Sequence, residues 1–286
     1  MSPPVPPEIA LPDGRAMPVL GLGTWRMGED RSARRAEVAA IRRALELGLT
    51  LIDTAEMYGD GGAEEVVGEA ISGRREQAVL VSKVLPSNAS PAGIVAACER
   101  SLKRLRCARI DLYLLHWRGR WKLADTVDAF ERLVAQGKIG AWGVSNFDTE
   151  DLAELAALPA GARCATNQIY YALAQRGPAF DLLPAMGARG MPVMAYSPLD
   201  EGRLASHPAL EPVARELGAT RAQVALAWLL HRDAHATGVI AIPKSASVER
   251  VEENAGAAAL RLDARHLAAL DRAFPPPGRK RPLAMV

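Results

Sequence analysis

Short apolar runs alternate with amphipathic helical patterns along most of this chain, and no other feature constrains its fold as strongly. The runs that match buried strands end at Gly23, Asp53, Lys83, His116, Ser145, Gln168, Ser197 and Ile242. Most of these ends lie about 30 residues apart, the length of a strand, a crossover helix and two loops. The repeat therefore predicts strand–helix units that join parallel strands.

The predicted strands have defined bounds, and helical patterns lie between them. The strands are expected at residues 19–23, 49–53, 79–83, 110–116, 139–145, 165–168, 192–197 and 237–242. Apolar residues recur at helical spacing between them, as in Val38, Ile41 and Leu45. Strands and helices in this order predict a closed (β/α)8 TIM barrel. A doubly wound open sheet is the main alternative, but no G-x-G-x-x-G turn follows the first strand.

Elements outside the repeat are predicted at both ends and before the last strand. A Pro-Asp-Gly turn signal at 12–14 predicts an N-terminal β-hairpin. The last interval has room for two extra helices near 212–217 and 220–231, with Thr220 as an N-cap. A C-terminal helix must end before the proline cluster that begins at Pro275. We therefore expect one barrel domain over 1–286, with a loose leader at 1–7 and a tail at 275–286.

Composition and charge exclude several classes of protein. The chain has 35 basic and 33 acidic residues, so it has no excess charge for binding nucleic acid. No apolar run reaches the length of a membrane span, and the N-terminus lacks the pattern of a signal peptide. The three cysteines have neither disulfide nor zinc spacing. These features predict a cytoplasmic protein without nucleic-acid or membrane partners, and a monomer is favoured.

Four ionisable side chains are expected to meet at the mouth of the barrel. Asp53, Lys83 and His116 end consecutive predicted strands, and Tyr58 follows Asp53 by five residues. Each residue alone also has a purely structural explanation. Asp53 could cap a helix and Lys83 could extend to solvent, whereas His116 and Tyr58 could be ordinary buried residues. An ammonium between a carboxylate and a phenol is expected to lower the phenol pKa. The group therefore predicts a proton-transfer site.

Four segments of the chain resemble the signature segments of the aldo-keto reductases. They read LGLGTW at 20–25, LIDTAEMYG at 51–59, DLYLLHW at 111–117 and GVSNF at 143–147. The resemblance spans about 20–254 and is closest to bacterial enzymes that reduce methylglyoxal and other small aldehydes. It implies NADPH-dependent reduction of an aldehyde or ketone by hydride transfer. The implied catalytic residues are Asp53, Tyr58, Lys83 and His116, with Tyr58 as proton donor.

The resemblance also implies a site for NADP. The carboxamide of the nicotinamide would be held by Ser145, Asn146 and Gln168, although an ordinary strand-to-helix turn also explains the first two. A phosphate site is common after the last strands of a barrel, and Lys244 and Arg250 there resemble a 2′-phosphate clamp that favours NADP over NAD. The residues expected to contact the cofactor are Gly23, Thr24, Trp25, Asp53, Ser145, Asn146, Gln168, Tyr196, Ser197, Pro198, Leu199, Lys244, Ser245, Arg250, Glu253 and Asn254.

The predicted substrate pocket is aromatic and shallow. Its expected lining residues are Trp25, Met57, Tyr58, His116, Trp117 and Trp121. The loop at 118–124 and the C-terminal tail are short, where relatives that act on larger substrates carry long loops. Methylglyoxal-like and aromatic aldehydes, weakly discriminated, are therefore the expected substrates. Tyr170 and Tyr171 follow the sixth strand and receive no role.

Three other functions compete with this interpretation. The first is a regulatory barrel that binds NADPH with little turnover. The second is a Schiff-base aldolase that uses Lys83 as a nucleophile, although a lysine paired with an acid is a poor amine. The third is a metal-dependent hydrolase, but the pair His231 and His235 has no H-E-x-x-H frame, and we expect no metal.

Overall fold

A computed structural model of the chain describes residues 6–231 and 234–285. Most of the predicted leader, residues 1–5, lies outside the described residues, as does Val286 at the end of the predicted tail. The strands are β1 Glu8–Ala10, β2 Ala16–Pro18, β3 Gly21–Gly23, β4 Leu51–Asp53, β5 Val79–Val84, β6 Ile110–Leu115, β7 Ile139–Ser145, β8 Asn167–Tyr170, β9 Val193–Tyr196 and β10 Val239–Ala241.

The helices also follow the predicted order, one after most barrel strands. They are α1 Arg34–Glu46, α2 Gly62–Ala70, α3 Pro91–Leu105, α4 Leu123–Ala135, α5 Thr149–Ala156, α6 Leu182–Gly187, α7 Glu211–Glu216, α8 Arg221–Leu230, α9 Val248–Gly256 and α10 Ala264–Ala273. In α1 the predicted apolar face, Val38, Ile41 and Leu45, is buried. Burial of that face against the barrel stabilises this short helix more than its intrinsic propensity does.

Strands β3 to β10 pair in parallel, each with its neighbour in the sequence, and the sheet closes on itself. The closing contacts are parallel bridges from Leu20 to Ala241 and from Gly23 to Lys244. The Ala241 N–H donates to the carbonyl of Val19 over 2.8 Å, and the Gly23 N–H donates to the carbonyl of Pro243 over 3.1 Å. The predicted (β/α)8 barrel is confirmed, and the open sheet is ruled out.

The N-terminal hairpin covers the amino-terminal end of the barrel. Strands β1 and β2 pair in antiparallel fashion, with Ile9 opposite Met17. Leu11 and Met17 are buried with Leu51 of β4 and Val81 of β5 in the core inside the barrel. Apolar side chains fill this end of the barrel interior, so its polar side chains lie toward the opposite end.

The two extra helices before the last strand are α7 and α8, as predicted. The Thr220 side chain accepts a hydrogen bond from the Gln223 N–H, and the Gln223 side chain accepts one from the Thr220 N–H. This reciprocal cap satisfies N–H groups that a helix start leaves without partners. Helix α10 ends at Ala273, just before Pro275, because proline has no N–H to continue a helix.

The sixth barrel strand lies two residues later than predicted. It was expected at 165–168, but β8 runs over Asn167–Tyr170. Its register with β9 places Tyr170 directly opposite Tyr196. Pairing with β9 therefore extends the strand beyond Gln168, and Tyr170 belongs to the end of the sheet rather than to the loop.

Candidate active site

The four predicted ionisable residues lie together at the carboxyl end of the barrel. Asp53 is the last residue of β4, Lys83 is near the end of β5, and His116 directly follows β6. Tyr58 lies in a helical turn after β4. All four side chains are buried, Lys83 completely. Parallel strands point their carboxyl ends to one side, so the fold alone brings these side chains to one place.

Lys83 is at the centre of the group. Its ammonium donates to Asp53 Oδ2 over 2.7 Å, to the carbonyl of Thr54 over 2.8 Å and to Tyr58 Oη over 3.1 Å. The other carboxylate oxygen of Asp53 accepts from Gln168 Nε2 over 2.7 Å. A buried ion pair needs such additional hydrogen bonds to offset the loss of hydration. The amine is thereby held as an ammonium against the phenol.

The turn that carries Tyr58 depends on glycine. Gly59 has a φ of 56°, in the left-handed region, and Asp60 and Gly61 follow with φ of 53° and 91°. A Cβ on Gly59 would lie 2.9 Å from the carbonyl oxygen of Met27. Only glycine adopts this conformation at this distance without strain. The turn brings the Tyr58 side chain back over Lys83.

The pKa of Tyr58 does not follow the sequence-based expectation. Burial raises the pKa of its phenol above the ordinary value, and the opposing effect of the Lys83 ammonium is smaller. The expected lowering was therefore wrong for this state of the protein. Because Lys83 donates to the phenol oxygen, the phenol's own proton is left for another acceptor. Tyr58 is thus a protonated phenol at neutral pH.

The pKa values of Asp53 and Lys83 are also raised, for different reasons. Burial raises the pKa of Asp53, against the effect of Lys83. The pKa of Lys83 is affected first by burial, which lowers it, but the charges of Asp53 and Tyr58 outweigh burial and raise it. Lys83 is therefore a poor nucleophile, which argues against the Schiff-base alternative.

His116 is a neutral imidazole in this site. Burial, assisted by the charge of Lys83, lowers its pKa to about 2. Its Nδ1 atom is buried without a hydrogen-bond partner among the described residues. Its ring centroid lies 5.8 Å from that of Tyr58. A neutral imidazole beside a phenol can orient a polar ligand atom without adding a second positive charge.

The burial of neutral His116 is expected to make stability depend on pH. The unfolded protein takes up a proton on this side chain below about pH 6.5, whereas the folded protein does not. Stability is therefore lost as the pH falls through that value, by about 1 kcal/mol between about pH 7.5 and about pH 5.5. Urea unfolding of the wild type and of His116→Gln measures this difference, and equal pH dependence of the two proteins would contradict it.

A second polar group lies beside the first. Ser145 Oγ donates to the carbonyl of Gln168 over 2.8 Å. Asn146, with a φ of 57°, donates from Nδ2 to the carbonyl of His116 over 3.1 Å and accepts from Tyr196 Oη over 2.9 Å. These hydroxyl and carboxamide groups can both donate and accept, which suits a carboxamide ligand. They lie at the ends of β7, β8 and β9.

Cationic side chains gather where the chain leaves β10. Lys244 is exposed, and Ser247 caps helix α9, where its side chain accepts from the Arg250 N–H. Partial loss of hydration lowers the pKa of Lys244. The charges of Glu37 and Glu29 oppose this shift, whereas those of Arg26 and Arg250 add to it. Cationic side chains that cluster at a helix start favour the binding of a phosphate. Asn254 is buried on the same helix, and the carbonyl of Glu253 accepts from Gln223.

Aromatic side chains surround the buried group of Asp53, Tyr58, Lys83 and His116. Trp25 is 43% exposed and meets Tyr58 edge-on, with ring centroids 4.9 Å apart. The ring of Trp117 lies 4.9 Å from that of His116. Met57 is half-buried next to Tyr58. Trp121 packs against the edge of the core, and Arg118 and Arg120 of its own loop contact its carbonyl and its ring.

Sequence reasoning missed several contacts that hold the site in place, although Thr24 itself was among the residues expected at the cofactor. The carbonyl of Thr54 binds Lys83, and Thr24 Oγ1 donates to the carbonyl of Asp53 over 2.9 Å. Tyr170 stacks on Tyr196 and contacts Asp200. Backbone acceptors carry no signal in a sequence, and the contacts of Tyr170 depend on the register of β8 with β9.

Comparisons with known proteins show what this chain is similar to. The model of the Aldo/keto reductase family matches residues 19–274. Methylglyoxal reductase YeaE of Escherichia coli (strain K12) is 51% identical over 276 residues, covering 95% of this chain and 96% of that protein. Glyoxal reductase of Bacillus subtilis (strain 168) is 36% identical over 252 residues, covering 86% of this chain and 85% of that protein.

A solved structure is similar along almost the whole chain. It is an aldo/keto reductase from Klebsiella pneumoniae in complex with NADP and acetate, 50% identical, with a TM-score of 0.94. The similarity covers 99% of this chain and 100% of that one. In the part of this chain that the structure describes, no helix has the length and apolar character to cross a membrane.

Proposed function

The chain belongs to the aldo/keto reductase family, and from this premise we propose that it reduces small aldehydes with NADPH. It is an oxidoreductase. One observation carries the proposal, the ammonium of Lys83 held 2.7 Å from Asp53 and 3.1 Å from the phenol of Tyr58 at the mouth of the barrel. A regulatory barrel without turnover has no need of this costly buried arrangement.

The chemistry of this chain's residues is proton donation to a carbonyl oxygen. Tyr58 gives its proton to that oxygen, and the adjacent Lys83 ammonium stabilises the phenolate that remains. Asp53 keeps Lys83 charged and in place. Neutral His116 orients the carbonyl oxygen toward the phenol. When bound, NADPH supplies the hydride that the carbonyl carbon receives. Solvent then returns a proton to Tyr58.

The residues of the second polar group and the cationic group suit NADPH. We infer that Ser145, Asn146 and Gln168 hold the carboxamide and that Tyr196 lies against the nicotinamide ring. Lys244 and Arg250, with Ser245 between them, take the 2′-phosphate. The further contacts inferred for the cofactor are Gly23, Thr24, Trp25, Asp53, Ser197, Pro198, Leu199, Glu253 and Asn254. Support comes from their position at the carboxyl ends of the strands and from the charges near α9.

The inferred substrates are methylglyoxal-like and aromatic aldehydes. The names of the similar Escherichia coli and Bacillus subtilis proteins support the first group. The exposed Trp25 ring beside Tyr58 supports the second, since it offers an aromatic surface next to the proton donor. Trp25, Met57, Tyr58, His116, Trp117 and Trp121 line the pocket in this proposal.

Oxidation of NADPH, followed by its absorbance at 340 nm, tests the proposed function. The purified protein is assayed with methylglyoxal and a panel of aromatic aldehydes and ketones, each with NADPH and with NADH. Steady turnover of aldehydes with NADPH is the expected result. Tight binding of NADPH without turnover of any carbonyl compound would favour the regulatory barrel instead.

Location and assembly are part of the same proposal. Cys98, Cys107 and Cys164 are free thiols, which suits the reducing cytoplasm. We therefore infer a cytoplasmic location. We also infer a monomer, because each group of the inferred site comes from this one chain. Size-exclusion chromatography with light scattering measures the assembly.

The choice of cofactor is expected to depend on Lys244. Lys244→Ala removes a charge-assisted contact with the 2′-phosphate, which NADH lacks, so the Kd for NADPH is expected to rise about 10- to 100-fold. The Kd for NADH is expected to change less than about twofold. Fluorescence titration measures both values. Lys103→Ala, on an exposed face of α3, is the control for the lost charge. Equal weakening of both cofactors would contradict the clamp.

A further inference from the structure

Tyr170 supports the ring of Tyr196 from behind. The two residues are opposite each other in the register of β8 and β9, and their rings stack with centroids 5.6 Å apart at 25°. Tyr170 is 4% exposed, so its ring is fixed in the core. The face of Tyr196 that meets Tyr170 is closed to a ligand. The position of the ring inferred to meet the nicotinamide therefore depends on Tyr170.

The hydroxyl of Tyr170 connects the Tyr170 ring to the loop that follows β9. It donates to Asp200 Oδ1, and Asp200 is also held by Arg203, whose Nε donates to Oδ2 over 2.9 Å. Arg203 Nη2 donates to Tyr170 Oη over 3.3 Å. Burial and the contact with Asp200 raise the pKa of Tyr170 to about 12, so its phenol keeps the proton that it donates.

The loop held by this contact has an unusual backbone. Ser197, Asp200 and Glu201 have φ of 45°, 52° and 54°, in the left-handed region that residues other than glycine rarely adopt. Such conformations persist only where surrounding contacts enforce them. Tyr170 and Arg203 supply such contacts at Asp200. The segment Ser197 to Leu199, which the proposed function assigns to the cofactor, lies between the Tyr196 ring and this fixed point.

We propose that Tyr170 and Asp200 form a latch that holds loop 197–203 in the conformation that binds NADPH, and that this latch sets how long the cofactor stays bound. The inference rests on the proposed function and goes beyond it. Tyr170 and Asp200 are positioning residues, since they act through Tyr196 and the loop. Opening of the latch frees the loop and lets the cofactor leave sooner, whereas Tyr58 and Lys83 are untouched.

Tyr170→Phe and Asp200→Asn test the latch. The first keeps the stacked ring and removes the hydroxyl, and the second keeps the shape of the side chain and removes its charge. Tyr171→Phe is the matched control, because the neighbouring phenol is also buried but contacts His235 instead of the loop. For each variant, stopped-flow fluorescence gives the dissociation rate of NADPH, and single-turnover oxidation at saturating NADPH gives the rate of the chemical step.

Both latch variants are expected to release NADPH at least about tenfold faster than the wild type, with the chemical step within about twofold. Tyr171→Phe is expected to release NADPH at the wild-type rate, even if its Tm falls by as much as the Tm of the latch variants. Equal release rates in all four proteins would overturn the latch while leaving the proposed function intact. If the wild type itself neither binds nor oxidises NADPH, both proposals fail together.

Discussion

Tyr58→Phe is expected to lower kcat for methylglyoxal by about 100- to 10,000-fold, the usual contribution of a positioned general acid. The substitution removes the phenol oxygen and its proton but keeps the ring that packs edge-on against Trp25. The pocket and the cofactor contacts therefore remain, and the Kd for NADPH is expected to stay within about twofold. Steady-state kinetics and fluorescence titration on the same preparation measure the two quantities.

The neighbouring aromatic residue provides the control for Tyr58. Trp25→Phe changes the packing around the Tyr58 ring but keeps its phenol hydroxyl, so its kcat is expected to fall far less than that of Tyr58→Phe. Near-normal reduction by Tyr58→Phe would remove Tyr58 as the proton source. Equal losses in the two variants would indicate damage to the pocket instead of loss of a proton.

Lys83→Met is expected to abolish measurable reduction and to lower the free energy of unfolding by about 3–5 kcal/mol at neutral pH. The side chain is completely buried and pairs with Asp53, which is also buried. Methionine fills a similar volume but leaves the carboxylate of Asp53 without its cation. Activity is lost because the phenolate of Tyr58 is no longer stabilised. Urea unfolding and the NADPH assay measure the two effects.

The double variant Asp53→Asn/Lys83→Met separates the two effects of Lys83→Met. It removes the unpaired charge, so stability is expected to recover toward the wild type while activity stays lost. In Lys83→Met alone, burial raises the pKa of Asp53 without the opposing charge of Lys83, so the folded protein binds a proton that the unfolded protein releases. Its stability deficit is therefore expected to shrink as the pH falls. A single variant as stable as the wild type at neutral pH would contradict the buried ion pair.

The barrel could be predicted because the strand–helix unit repeats at regular spacing along the sequence. Strand ends about 30 residues apart carry Asp53, Lys83 and His116, and parallel pairing then places these side chains on one side of the sheet. The buried face of α1 and the cap at Thr220 are local patterns of the same kind. Each depends on residues within a few turns, so a single sequence is sufficient to identify them.

The parts that could not be predicted depend on register and on burial. The contact of Tyr170 with Asp200 needs β8 to extend beyond Gln168 and the loop to adopt left-handed conformations. The direction of the Tyr58 pKa shift depends on the balance between loss of hydration and the charge of Lys83. A motif shows which charges are neighbours, but it does not show how much water they have lost.

Because the sheet closes between Gly23 and Lys244, the barrel cannot be completed until synthesis on the ribosome is nearly finished. The inferred phosphate site lies beside this seam, so it cannot form before the last barrel strand has been synthesised. Until then, the first strand has an unpaired edge that can associate with other chains. Nascent chains that stop before residue 239 are therefore expected to be prone to aggregation and unable to retain the dinucleotide, even though they already contain Asp53, Tyr58, Lys83 and His116.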